Sequence, residues 1–123
     1  MAIYKVQTNI DGVFTSMDLA LDGKRIHLAY DGNKGYRSTD LFNLPGSLIL
    51  QWIGIGLSFQ DWTITLLFSL QNADGSFADP KQWDLKGTIP QGGGIQAYES
   101  IDPTKDLKPA AAPAKAAPGG AVK

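Results

Sequence analysis

With 123 residues, 11 of them basic and 12 acidic, the chain has room for one domain and carries no strong overall field. Beyond Leu107 the only charges are Lys108, Lys115 and Lys123, so the body before it holds 8 basic and 12 acidic residues, a net of −4. A mildly acidic body argues against a nucleic-acid-binding face, which needs a basic patch. The absence of cysteine excludes disulfides, thiolate chemistry and Cys-based zinc sites.

The opening residues, MAIYKVQTN, have no apolar h-region of the secretory kind, and a cytoplasmic location is expected. They read instead as a first strand. Glutamate occurs once, at Glu99, while Ile, Thr, Phe, Tyr, Trp and Gly are plentiful, a composition of strands and turns rather than of exposed helices.

Residues 17–30, MDLALDGKRIHLAY, carry the clearest local signal. Asp22-Gly23 is a favoured two-residue hairpin turn, because both central positions must accept positive φ. Centring the turn there opposes Leu21 to Lys24, Leu19 to Ile26, Met17 to Leu28 and Thr15 to Tyr30. The turn and the alternation therefore predict the same register. On the polar face it opposes Ala20 to Arg25 and Asp18 to His27.

The turn-rich segment DGNKGYRSTDLFNLPG follows at 31–46, with a short strand expected around Gly35–Asp40. Leu41–Gln60 then contains no charge, which is long enough for a membrane-spanning helix. Its apolar residues nevertheless alternate, and Asn43, Pro45, Gln51 and three glycines interrupt it, so no membrane span is expected. A lipid-facing strand of an oligomeric pore is a minor alternative for residues 47–70.

In this stretch Ile53, Ile55, Leu57 and Phe59 share one face, and in WTITLLFSL so do Trp62, Ile64, Leu66, Phe68 and Leu70. A hairpin about Gln60-Asp61 would oppose Phe59 to Trp62 and Ile53 to Phe68, and the loop could instead be wider or turn the chain between sheets. Leu48, Leu50, Trp52 and Leu67 fall on the other side. That leaves the strand pair apolar on both faces, a pattern that calls for cover from other strands or another subunit.

Asp84–Ile89 and Gly94–Ser100 read as two further strands. Seven or eight short strands with frequent turn signals predict an antiparallel β-sandwich, jelly-roll or Ig-like, over residues 1–106. Residues 107–123, rich in Ala, Pro and Lys, cannot bury enough surface to fold and read as a disordered tail or linker.

Chemistry-bearing patterns are sparse. Gly54-Ile55-Gly56 begins like a dinucleotide fingerprint, but Phe59 stands where the third glycine belongs. Asp31, Asn33 and Asp40 suggest calcium ligation, yet Phe42 occupies the twelfth position, where an acidic residue is needed. Plain turns are preferred there, and no cofactor is expected, with Ca²⁺ as the alternative. His27 near Asp18 is better explained by a solvated cross-strand pair than by a catalytic dyad, so no enzymatic activity is expected.

The aromatic side chains remain. Trp83 in the long loop, Trp52 beside the two glycines and Tyr36 in the turn-rich segment, with Asn33 and Asp31 nearby, form the candidate ligand-binding set. Such platforms hold the apolar face of a sugar. The expected function is non-catalytic, lectin-like binding of a carbohydrate or other small ligand. The alternative is an assembly subunit whose two-sided apolar sheet makes a homo-oligomer interface.

Overall fold

The computed structural model describes residues 2–30 and 35–109, and within them the chain is all-β. The longer strands are β1 (Ala2–Asp11), β2 (Phe14–Leu21), β5 (Tyr36–Leu44), β6 (Leu48–Gly56), β7 (Asp61–Leu70), β8 (Lys81–Thr88) and β9 (Gly94–Ile101). Three two-residue strands complete the set: β3 (Lys24–Arg25), β4 (Ala29–Tyr30) and β10 (Lys108–Pro109). They build two antiparallel sheets, ordered β10-β8-β7-β1-β5-β4 and β3-β2-β6-β9. The chain passes repeatedly between them, and a single apolar core lies in the middle, making the β-sandwich that the alternation predicts. No helix among the described residues is long and apolar enough to cross a membrane.

The expected Asp22-Gly23 turn forms, with φ of 50° and 79° at its two central residues. Ala20 opposes Arg25 and Leu21 opposes Lys24, and the Ile26 amide still donates to the Leu19 carbonyl. There the predicted ladder ends. Ala29 and Tyr30 pair with Arg37 and Tyr36 in the opposite sheet, so Met17–Leu28 and Thr15–Tyr30 do not form. Ile26 is drawn into the core as the segment crosses the open side of the sandwich.

β7 presents Trp62, Ile64, Leu66 and Phe68 inward, as its alternation predicts, but Leu70 at its end is exposed and Ser69 is buried instead. β6 reverses the expected face. Leu48, Leu50 and Trp52 are buried, whereas Ile53, Ile55, Leu57 and Phe59 are exposed, Phe59 at 68%. The cause is long-range. β6 and β7 are not a hairpin: β6 pairs with β2 and β9, and β7 pairs with β1 and β8. The chain changes sheets through residues 57–60, where Phe59 takes a left-handed φ of 70° and its amide donates to the Ile89 carbonyl.

The glycines of β6 are covered by this same chain. A Cβ on Gly54 would lie 2.8 Å from the Met17 side chain, and one on Gly56 only 2.4 Å from the Val13 carbonyl oxygen. They allow close packing, not phosphate binding.

Residues 107–109 belong to the folded body. Leu107 packs on the core, Lys108 and Pro109 pair with Gln82 and Lys81, and the Lys108 ammonium lies 2.8 Å from Asp84. The rest of the predicted tail lies outside the described residues. Burial alone would raise the Asp84 pKa, but hydrogen bonds from Lys108 and Gln82 outweigh it and hold the carboxyl below its usual range. A depressed folded pKa contributes stability that is present above the unfolded value, about 3.9, and is lost as pH falls through the folded one. Urea titrations should therefore show stability declining below about pH 4. Asp84→Asn should flatten part of that decline, and an unchanged slope would remove Asp84 as a contributor.

Candidate functional site

The three predicted ligand-binding residues that the structure describes do not meet in one place. Trp52 points inward from β6 and is 6% exposed, and Trp83 points inward from β8 at 9%. Tyr36 lies half-buried on β5, its ring tilted 60° against that of Tyr30 at a centroid distance of 5.4 Å. Asp31 and Asn33 lie outside the described residues. Trp52 thus belongs to the four-stranded sheet, while Trp83 and Tyr36 belong to the six-stranded one. The indoles went inside because both tryptophan-bearing strands turn those positions to the core, where a large ring buries the most apolar area.

A concave feature of the surface lies elsewhere, on the outer face of the four-stranded sheet. An open groove of about 580 Å³ is lined there by Asp18, Arg25, Gln51, Ile53, Gln96 and Tyr98, among others. Register explains the grouping. Asp18 opposes Ile53, which opposes Gln96, and Ala20 opposes Gln51, which opposes Tyr98. Residues directly opposite on neighbouring strands point to the same face, so these two rows form one surface. Arg25 reaches across from β3 and forms an ion pair with Asp18, so Asp18 is engaged by arginine rather than by the histidine expected from the sequence.

The chemistry is that of a contact surface. Tyr98 is 71% exposed and offers an aromatic plane beside Ile53. Gln51 and Gln96 supply amide donors and acceptors, and the Asp18–Arg25 pair supplies charge. Along β6 the same face carries Ile49, Ile53 and Ile55, each roughly half-exposed, and continues into Leu57 and Phe59. The outer face of the six-stranded sheet is more polar along β1 and β7, where Lys5, Gln7, Asn9, Thr63 and Thr65 take outward positions, but it also carries Ile3, Leu41 and Leu67.

A second opening lies at the side of the sandwich, between β8 and β9. It is a cleft of about 380 Å³ lined by Trp52, Trp62, Leu85, Lys86 and Ile95, with Pro90 at one end. The buried Trp62 indole N–H has no acceptor among the described residues. No three metal-ligating side chains converge among the described residues.

Tyr98 and Gln96 were missed by sequence reasoning because they sit in a short polar strand after a glycine cluster, GGGIQAYES. The available signal was the alternation of Gln96, Tyr98 and Ser100 with Ile95 and Ala97. Comparison with protein-family models, with curated proteins and with solved structures finds no match to this chain.

Proposed function

We propose that the chain is a non-catalytic binding module whose working surface is the outer face of the four-stranded sheet. The observation that supports this reading is the groove that places Tyr98 and Ile53 beside Gln51, Gln96 and the Asp18–Arg25 pair. An apolar plane next to directional polar groups suits a carbohydrate, which stacks one ring face and hydrogen-bonds through its hydroxyls. The aromatic anchor is then Tyr98 rather than Trp52, Trp83 or Tyr36. A glycan array followed by calorimetric titration of its hits tests this. Tyr98→Ala should weaken binding about tenfold or more with the fold unchanged, as expected for removal of an aromatic anchor. An array without hits ends the carbohydrate reading.

The second reading, an assembly subunit, is favoured by a separate observation. The exposed apolar stripe runs past the groove through Ile55, Leu57 and Phe59. Extended apolar surface of this kind marks protein contacts more often than small-ligand sites. A wild-type chain that stays monomeric at high concentration in sedimentation ends this reading.

A further inference from the structure

Four strands end the two sheets, and three of them, β3, β4 and β10, are two residues long. The fourth, β9, runs eight residues from Gly94 to Ile101 and has β6 on one side with no strand on the other among the described residues. Natural edge strands are normally blunted by shortness, lysine, proline or a bulge. β9 has none of these, and its only charge is Glu99.

Its unused hydrogen-bonding groups can be identified. The Gly56 amide donates to the Gly93 carbonyl, which makes Gly56–Gly93 a hydrogen-bonded pair in the β6–β9 register. Hydrogen-bonded pairs recur at every second residue of an antiparallel ladder. Ile95, Ala97, Glu99 and Ile101 therefore turn their backbone groups toward β6. Gly94, Gln96, Tyr98 and Ser100 turn theirs outward. The free run stops at Ser100, because the next outward amide, that of Asp102, donates to the Asp106 carboxylate at 2.7 Å.

From this edge we infer that two copies of the chain join β9 to β9 in antiparallel fashion about a two-fold axis at Ala97. The inference rests on the assembly reading of this sheet and names its seam and its partner, a second copy. A free run from Gly94 to Ser100 is self-complementary about its midpoint, Ala97. In that register Gln96 faces the partner's Tyr98 and Gly94 faces the partner's Ser100, so every outward N–H and C=O finds a mate, about eight hydrogen bonds at two per pair. Centring on Tyr98 instead would require the occupied Asp102 amide.

Side chains agree with the backbone. The glutamates avoid each other, since each Glu99 stands opposite Ile95 of the other copy. Ile95 lines the side cleft together with Lys86, so each carboxylate is delivered to a cleft rim that carries a cation. Charge complementarity of this type fixes register and partner choice. On the outer face Gln96 lies next to the partner's Tyr98, which makes the two grooves one continuous surface across the seam.

Cross-linking tests the seam, and the cysteine-free chain gives it a clean background. In the inferred register the two Ala97 form a non-hydrogen-bonded pair with Cα atoms about 4.5 Å apart, within disulfide range. Ala97→Cys should form a reductant-sensitive covalent dimer under mild oxidation, whereas Tyr98→Cys, more than about 7 Å from its mate, should not. By sedimentation the wild type should be dimeric. Glu99→Lys should weaken the dimer at least tenfold, and adding Lys86→Glu should restore it. Association without cross-linking at position 97, or with cross-linking at 98, overturns the seam while leaving the assembly reading intact. A monomer at all concentrations overturns both.

Discussion

Gly35→Ala is expected to be among the most destabilising single-atom-scale changes available in this fold. Gly35 has φ of +116°, a conformation that a side chain rarely adopts, and a Cβ there would lie 1.9 Å from the Ile10 carbonyl oxygen. The obstructing atom is backbone, at the end of the β1–β5 ladder where Ile10 pairs with Tyr36. It also accepts a hydrogen bond from the Arg37 guanidinium at 3.1 Å, while the same guanidinium bonds Asp11 at 2.8 Å. Relief of the clash must therefore move a strand end held from two sides. Strained backbone alone costs on the order of 1–3 kcal/mol, and the clash adds to it, so about 3 kcal/mol or more is expected. For a domain of this size that lowers the melting temperature by more than about 10 °C. Gly75→Ala and Gly46→Ala separate the contributions. Gly75 has φ of +90° with nothing within 4 Å, and Gly46 has open space and no positive φ. The expected order of cost is Gly35, then Gly75, then Gly46 near zero. A melt of Gly35→Ala within 2–3 °C of wild type, on the order of 0.5 kcal/mol, would remove the close approach as a constraint.

Much of the architecture was legible where the signal is local. Asp22-Gly23 specifies its turn because few residues accept two consecutive positive φ values, and the structure places it there. β7 was legible because Thr63 and Thr65 alternate with Trp62, Ile64 and Leu66, so along its first half only one face can be the core. β6 was legible as a strand but not in its orientation. Both of its faces are apolar, and which one is buried depends on partners distant in sequence: Leu50 lies between Leu21 and Glu99, and Leu48 opposes Ile101. Period alone carries no sign when both phases are hydrophobic.

The candidate site was less legible for a related reason. Tryptophan content suggested an aromatic platform, but a tryptophan's position relative to the core follows the phase of its strand. Once β6 took the opposite phase, Trp52 went inward and Ile53 outward. The groove is assembled from four strands, and its rows exist only after the β2–β6 and β6–β9 registers are set. The doubly apolar character of β6, by contrast, was visible in the alternation, and it is this property that leaves an uncovered apolar stripe on the outside.

The phase of β6 can be measured directly by pairing Leu50→Ala with Ile53→Ala. Leu50 is fully buried between the sheets, and truncating such a leucine costs about 2–5 kcal/mol, from lost transfer energy plus the cavity left behind. Ile53 is 48% exposed on the outer face, so its truncation removes little that folding had taken from water, and about 1 kcal/mol or less is expected. At about 4–8 °C per kcal/mol, Leu50→Ala should melt at least 8 °C below wild type and Ile53→Ala within a few degrees of it. The reverse order would mean that Ile53 and Ile55 face the core and that the groove is misplaced. The same pair separates folding from recognition. Leu50→Ala should weaken binding only by depleting folded protein. Ile53→Asp should instead keep the dispersed amide spectrum of the wild type and lose contact through the outer face, because the charge enters a surface that water already reaches in the free chain but not in the bound one.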